Sequence, residues 1–334
     1  MTAHDAPLSS FPNSRPRRLR STAAMRELVA ETRLTANDVI APLFVREGIS
    51  EPQPIPSLPG VVQHTRQSLR AEVRHLASLG VRSVILFGVP AAKDDIGSGA
   101  WDPDGIVQVA LRDLREDVGD DIVLMADCCL DEYTSHGHCG VVRSDGHVDN
   151  DATIELYARA AVAQANAGAH VVAPSGMMDG QVAAIRSALD ASGCSETAIL
   201  AYSAKYASAL YGPFRDAVDV RIAGGGDRKG YQQDWRNARE ALVEVAADLA
   251  QGADMVMVKP AVTYLDVIAA VRAACNVPVA AYHVSGEYSM IKAAASNGWI
   301  DGDAVALEQL TAIKRAGADL ILTYFARDLA ERWS

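Results

Sequence analysis

Two lysines in this sequence are placed to act as nucleophiles. Lys259 ends the apolar run Met255–Lys259, and Lys205 closely follows the run Ala198–Tyr202. A lysine that loses hydration has a lowered pKa, and its free amine attacks carbonyl groups. Two such lysines on neighbouring strands lower each other's pKa by like-charge repulsion. The pair favours Schiff-base chemistry, although Lys259 taken alone is equally well explained as a side chain whose charged head reaches solvent.

A loop dense in cysteine, histidine and aspartate indicates a metal site. Cys129, Asp131 and Cys139 form a C-x-D-x7-C pattern, with His136 and His138 in the same segment. A catalytic Zn²⁺ uses three protein ligands and keeps a fourth position open. The alternative is that the cysteines are buried as small apolar residues. The density of potential ligands favours zinc.

A long polar segment contains Arg215 and, after a run of glycines, Lys229. Cations in such a segment could hold a substrate carboxylate, and the segment could close as a lid. Taken alone, it is better explained as a solvated charged loop. It lacks the G-x-x-x-x-G-K-[ST] motif of phosphate-binding loops, so it is weak evidence for a nucleotide.

The composition excludes several classes of protein. The 334 residues are 49% apolar and 22% charged, which is ordinary for a globular chain with a large core. A net charge of −11 argues against nucleic acid or an anionic membrane as the main partner. No apolar run reaches membrane-spanning length, and the polar, arginine-rich N-terminal segment leads us to expect no secretory signal. Five cysteines do not form a disulfide framework, so we expect a cytoplasmic protein.

Eight short apolar runs alternate with amphipathic helical segments. The runs are nearly uniform in apolar character, as in a parallel sheet covered on both faces. They are Val39–Val45, Ser83–Val89, Asp121–Asp127, His170–Ser175, Ala198–Tyr202, Met255–Pro260, Val277–Val284 and Leu320–Phe325. The helical segments include 153–167, 235–250 and 263–275. Glycines at 80, 168, 252 and 317 stand where a helix ends before a strand.

This pattern predicts an α/β protein with a (β/α)8 TIM barrel over residues 31–334 and an extended arm over 1–30. A doubly wound open sheet is the alternative, but no G-x-G-x-x-G motif follows the first strand. In a barrel, chemistry collects at the C-terminal ends of the strands. Candidate residues lie at or just beyond these ends: Asp127, Cys129, Ser175, Lys205, Lys259, Ser285 and Tyr324.

Seven segments resemble the porphobilinogen synthase (5-aminolevulinate dehydratase) family. They are Thr134–Gly140, Ala173–Gly180, Ala204–Ser208, Tyr211–Ala217, Gly226–Lys229, Met257–Pro260 and Val284–Tyr288. The resemblance implies a (β/α)8 barrel whose N-terminal arm takes part in assembly, usually as a homo-octamer. It also implies a hydro-lyase of tetrapyrrole (heme) biosynthesis, which condenses two molecules of 5-aminolevulinate to porphobilinogen with loss of two waters.

The resemblance also implies roles for single residues. Lys205 and Lys259 match the two lysines that form Schiff bases with the substrates. The two substrate carboxylates are matched to two pairs of residues: Arg215 with Lys229, and Ser285 with Tyr324. Asp127 is a candidate for the proton transfers, on weaker grounds than the lysines.

Two metals follow from the resemblance. Zinc-dependent members of the family carry three cysteines where this chain has Cys129, Asp131 and Cys139. Zinc accepts a carboxylate ligand, so we expect Zn²⁺, held less selectively than by three thiolates. Glu244, fifteen residues before Lys259, falls where members with an allosteric Mg²⁺ carry a glutamate. A carboxylate on the surface of a helix is the alternative for Glu244.

Two other functions are consistent with parts of the pattern. A Schiff-base aldolase also uses a lysine at a strand end of a barrel, but it needs neither the metal loop nor a second lysine. A non-enzymatic protein would use the cysteine loop as a structural zinc clip and the arm for assembly. That alternative predicts a closed four-ligand site and an unreactive Lys259.

Overall fold

The computed structural model describes residues 11–223 and 226–333. The chain divides into two compact units, Met1–Arg33 and Leu34–Ser334. In the first unit a 3-10 helix, Pro16–Arg20, precedes the helix α1, Ala23–Leu28. None of the described residues of this unit is buried. The first ten residues of the arm predicted over 1–30 lie outside the described residues.

Eight parallel strands of the second unit form a closed barrel. They are β1 (Val39–Arg46), β4 (Ser83–Val89), β5 (Val123–Cys128), β6 (Val171–Pro174), β7 (Ala198–Lys205), β8 (Met255–Lys259), β9 (Val279–His283) and β10 (Leu320–Thr323). Each strand pairs with the next one, and β10 pairs with β1 through Val39 and Ile321. The short strands β2 (Gln53–Pro54) and β3 (Val62–His64) extend the sheet beside β1. The prediction of a (β/α)8 barrel is confirmed.

Ten α-helices are found in the described part of the second unit. They are α2 (Arg66–Ser78), α3 (Ile106–Val118), α4 (Asn150–Asn166), α5 (Gln181–Ala191), α6 (Gly212–Ala217), α7 (Arg239–Ala250), α8 (Leu265–Ala274), α9 (Ser285–Ser296), α10 (Gly302–Ala316) and α11 (Ala326–Trp333). The helix α7 begins four residues later than predicted. The reason is a local turn, in which the Asp234 carboxylate accepts a hydrogen bond from the backbone N–H of Arg236. No helix of the described residues is long and apolar enough to cross a membrane.

The four glycines predicted to end helices all have positive φ angles, between 86° and 119°. Gly168 and Gly317 also pack closely against arginines. A Cβ atom on Gly168 would lie 2.4 Å from Cγ of Arg115, and one on Gly317 would lie 2.7 Å from Cγ of Arg272. These two positions therefore require glycine both for the backbone turn and for space.

Alternate residues of β1 pack into different apolar clusters. Val39 and Leu43 pack with the buried faces of α2 and α3. Ile40 and Phe44 pack in a second cluster, which also contains Tyr202. This alternation is the period of a strand buried on both sides. It holds the strand ends rigidly, so the polar side chains beyond them have fixed positions.

Candidate active site

Several of the predicted site residues lie together at the C-terminal ends of the barrel strands. One buried pocket there is lined by Asp127, Asp131, Glu132, Ser175, Lys205, Tyr211, Phe214, Arg215, Arg228 and Lys259. The register of β7 against β8 makes Lys205 and Lys259 direct partners across the two strands. The sheet therefore presents both lysines at the same height in the barrel.

Lys259 lies in an aromatic cage. Its Nζ is 4.4 Å from the ring centre of Tyr282 and 5.1–5.2 Å from the ring centres of Tyr202, Tyr211 and Phe214. Its side chain is buried, and Nζ donates no hydrogen bond to any residue that the structure describes. Burial, followed by the charge of Lys205, lowers the pKa of Lys259 to about 7. A large fraction of this amine is therefore uncharged near neutral pH.

Lys205 is equally buried but is hydrogen-bonded. Its Nζ donates to the backbone carbonyl of Ser175 and lies 5.7 Å from the ring centre of Tyr202. The two lysines thus share one pocket and one aromatic ring. Their amines differ in hydrogen bonding, so the two amines are held in different ways.

Asp127, at the end of β5, lines the same pocket as the two lysines. Its Oδ2 accepts a hydrogen bond of 3.1 Å from the Ser175 hydroxyl. Its backbone carbonyl accepts one from the Gln164 side chain. Burial raises the pKa of Asp127 to about 6, and the charges of Lys205 and Lys259 oppose this rise. A carboxyl group in this state can accept or release a proton near neutral pH.

The three predicted metal ligands come together in the structure. Cys129, Asp131 and Cys139 are buried, and their ligand atoms all lie within 4.8 Å of one another. The Tyr157 hydroxyl donates to Sγ of Cys129 and to the backbone carbonyl of Cys139, at 3.3 Å and 2.9 Å. Two cysteine thiolates and a carboxylate are a donor set that Zn²⁺ accepts, so these residues fit the predicted metal.

Asp131 also forms a buried ion pair that the sequence analysis missed. Its Oδ2 lies 2.7 Å from Nη2 of Arg228, and Nη2 also donates to the backbone carbonyl of Gly137. Burial works to raise the pKa of Asp131, but the charges of Arg228 and Lys205 outweigh it and hold the pKa well below its usual range. Asp131 is therefore a carboxylate at neutral pH, shared between the cysteines and Arg228.

Arg215 and Lys229, predicted as a pair, occupy different surroundings. Arg215 lines the lysine pocket, is half-buried, and forms no hydrogen bond or ion pair with any residue that the structure describes. Lys229 is exposed and pairs with Asp227 at 3.1 Å. The pocket residue in this segment is the neighbouring Arg228. Adjacent cations in an irregular segment carry no periodic signal, so the sequence could not tell which one points inward.

Ser285 and Tyr324 lie just beyond β9 and β10. The Ser285 hydroxyl accepts a hydrogen bond of 3.0 Å from the backbone N–H of Phe214. The same hydroxyl donates a hydrogen bond of 3.3 Å to the backbone carbonyl of Leu210. The Tyr324 hydroxyl pairs with that of Tyr282 at 2.9 Å. Tyr282 is also part of the aromatic cage, so Tyr324 is linked to Lys259 through one shared ring.

Glu244 lies on α7, outside the lysine pocket. It lines a separate cavity with Asp179, Glu240, Asp227 and Lys229. Burial, followed by the charges of Asp248, Asp179 and Glu240, raises the pKa of Glu244 to about 7. Several carboxylates facing one cavity favour a bound cation, which is compatible with the Mg²⁺ expected here.

Comparisons with known proteins agree with this site. A family model described as delta-aminolevulinic acid dehydratase matches residues 13–332. The protein of that name from Streptomyces coelicolor is 62% identical, over 96% of this chain and 97% of the relative. That from Mycobacterium tuberculosis is 61% identical, over 97% and 98%. A crystal structure of delta-aminolevulinic acid dehydratase (porphobilinogen synthase) from Toxoplasma gondii, in complex with its product porphobilinogen, superposes with a TM-score of 0.93 at 45% identity, covering 96% of this chain and 91% of that one.

These matches span nearly the whole chain and confirm the resemblance found in the sequence. They favour neither the aldolase nor the structural zinc clip. The chain belongs to the delta-aminolevulinic acid dehydratase family, also called porphobilinogen synthase.

Proposed function

We propose that this chain condenses two molecules of 5-aminolevulinate to porphobilinogen, with loss of two waters, through Schiff bases on Lys259 and Lys205. The observation that carries the proposal is the direct pairing of these two lysines across β7 and β8, with both side chains buried in one pocket. Each amine attacks the ketone of one substrate, and the resulting carbinolamine loses water to give an imine. Holding both substrates side by side removes much of the entropic barrier to joining them.

Each of the two substrate molecules also has a carboxylate, which the pocket must bind. Arg215 is directed at the pocket without a partner among the described residues, and its planar guanidinium suits a carboxylate. Nε of Arg228 is also buried without a hydrogen-bond partner in the described chain. We therefore assign one substrate carboxylate to Arg215 with Arg228, and keep Lys229 as the alternative second cation. Ser285 and Tyr324 are assigned to the other carboxylate.

The position of Asp127 in the pocket suits it to the proton transfers. It lines the same pocket as both lysines and is held by Ser175, whose carbonyl also binds Lys205. A carboxyl group there can give a proton to a departing hydroxyl and take one from a substrate carbon.

Zn²⁺ is assigned to Cys129, Asp131 and Cys139, where as a Lewis acid it would polarise a substrate oxygen or amine and help to orient it. Asp131 provides one carboxylate to the metal loop and to Arg228 at once, so it connects this loop to the segment that carries the carboxylate-binding cations. Mg²⁺ is assigned to the cavity of Glu244 as an allosteric cation.

We also propose that this chain forms a homo-oligomer and is located in the cytoplasm. Phe11 and Leu28 of the N-terminal unit are more than 70% exposed, and none of the described residues of this unit is buried. Apolar side chains of this kind are typical of an arm that packs against another subunit, which supports a homo-oligomer, expected to be an octamer. A cytoplasmic location agrees with the free state of all five cysteines.

The test is incubation of the purified protein with 5-aminolevulinate and a colour reaction for a pyrrole product, with metal analysis of the same sample. We expect porphobilinogen and bound zinc. Folded, metal-loaded protein that forms no pyrrole would contradict the proposal. Full activity after complete removal of metal by a chelator would contradict the zinc assignment alone.

A further inference from the structure

Glu287 is a buried acid that links two strand ends of the pocket. It is the third residue of α9 and is 2% exposed. One carboxylate oxygen accepts a hydrogen bond of 2.7 Å from the backbone N–H of Val284. The other accepts one of 2.7 Å from the backbone N–H of Val262. Val262 is three residues beyond Lys259, and Val284 directly precedes Ser285.

The contact with Val284 alone would be an ordinary helix cap. A glutamate at the third position of a helix commonly reaches back to the N–H of the capping residue. The contact with Val262 has a different character, because Val262 belongs to the segment that leaves β8. Capping α9 requires no bond to that segment.

The sheet itself does not fix these two segments to one another. The paired register of β8 against β9 ends at Val258 and Ala281. Lys259 and Ser285 both lie beyond this last pair. The Glu287 carboxylate therefore spans the gap that opens between the strands where their two functional residues stand.

The other side of the α9 N-terminus is also closely packed. A Cβ atom on Gly286 would lie 2.5 Å from the carbonyl oxygen of Leu210. Phe214, a few residues further on, is hydrogen-bonded to Ser285 and is one of the rings around Lys259. A shift of α9 would consequently reach Lys259 by two routes, through Val262 and through Phe214.

We propose that Glu287 is a positioning residue that fixes the separation between the Lys259 amine and the Ser285 hydroxyl. It rests on the function proposed above for Lys259 and Ser285. These two groups then hold the ketone and the carboxylate of one 5-aminolevulinate molecule, because Tyr324, the partner assigned with Ser285, is linked to Lys259 through Tyr282. Lys205 is anchored separately, through Ser175, and does not depend on Glu287.

The substitution Glu287→Gln tests this role with little change in shape. The amide keeps one acceptor oxygen, so one of the two backbone N–H groups loses its partner. We expect KM for 5-aminolevulinate to rise by about tenfold or more, and borohydride trapping at Lys259 to slow by a similar factor. Trapping at Lys205 in the same protein should change by less than about twofold.

Asp301→Ala is the matched control. Asp301 caps the next helix, α10, by accepting from the N–H of Ala304, and it does not line the lysine pocket. It should lower thermal stability without changing trapping at Lys259. Wild-type KM and trapping in Glu287→Gln, or equal slowing at both lysines, would overturn the proposal. Absence of trapping at Lys259 in the wild type would instead refute the proposed function.

Hydrogen exchange in the wild-type protein gives a second test that needs no variant. The amides of Val262 and Val284 should both be strongly protected, because each is bound to a buried carboxylate. Rapid exchange at Val262 with slow exchange at Val284 would reduce Glu287 to a helix cap and overturn the proposal.

Discussion

The two sides of the pocket accommodate buried charge in opposite ways. On the Lys259 side, four aromatic rings surround the amine, no described residue accepts a hydrogen bond from it, and its pKa falls to about 7. On the ionic side of the same pocket, formed by Asp131 and Arg228, both side chains are also buried but remain charged, because they lie 2.7 Å apart. Burial without a partner favours the neutral form, whereas burial with a partner preserves both charges. The first environment creates a nucleophile, and the second creates a site for ions.

The largest effect should follow loss of the nucleophiles. Lys259→Met and Lys205→Met should each lower kcat by about 10⁴-fold, because neither covalent step can be replaced by the remaining groups. The double variant should be little worse than either single one, since the two lysines act in one reaction. Steady-state assay of porphobilinogen formation measures this. A Lys259→Met enzyme with a tenth of normal activity would contradict the assignment.

A smaller loss of kcat/KM should distinguish the adjacent cations Arg228 and Lys229. Arg228→Met should lower kcat/KM by about 100-fold, because it removes a cation from the pocket and leaves Asp131 buried without its partner. Lys229→Met should lower kcat/KM by less than Arg228→Met does, since Lys229 is exposed and pairs with Asp227. The comparison uses kcat/KM for both variants at the same metal loading. A greater loss at Lys229 would show that Lys229 is the residue that meets the substrate carboxylate.

The lowered pKa of Lys259 predicts a specific pH profile. Below pH 7 the amine is protonated and unreactive, and above pH 7 it is free, so trapping should rise about tenfold from pH 6 to 8 and then level off. An ordinary lysine, with a pKa near 10.4, would rise about 100-fold over the same interval and continue upward. Initial trapping rates at Lys259, measured by mass spectrometry of its peptide, separate the two. A continued rise above pH 8 would contradict the lowered pKa that burial and the charge of Lys205 give to Lys259.

The smallest effect should be on the rate at which zinc leaves the metal loop. Asp131→Cys gives three thiolate ligands, which are softer and more selective for zinc, so zinc should leave to a chelator about threefold to tenfold more slowly. The same change removes the ion pair with Arg228, so the variant should bind 5-aminolevulinate more weakly. Release of zinc is followed with a colorimetric indicator. Faster zinc loss from the variant would show that Asp131 is the better ligand here.

The strand ends could be predicted from the sequence because uniform apolar runs define where a buried strand stops. Lys259 and Asp127 each come at such an end, and the barrel topology then brings them to one pocket. The short strands β2 and β3 were not predicted, since two or three residues carry no detectable period. The late start of α7 depends on a side-chain turn at Asp234, which periodicity does not show.

The contacts within irregular segments could not be predicted. Arg228 and Lys229 are adjacent and of like charge, and only the folded chain shows that Arg228 points inward to Asp131. Glu287 lies within a segment that carries the family resemblance, yet its residue type does not reveal a bond to Val262. In both cases the partner is distant in sequence, and its identity depends on how two loops pack.

The central claim is that both buried lysines form Schiff bases, and borohydride trapping with 5-aminolevulinate followed by peptide mapping tests it most directly. We predict adducts on Lys259 and Lys205 and on no exposed lysine, with Lys229 as the internal reference. Folded, metal-loaded protein in which Lys259 and Lys205 stay unmodified would contradict the account.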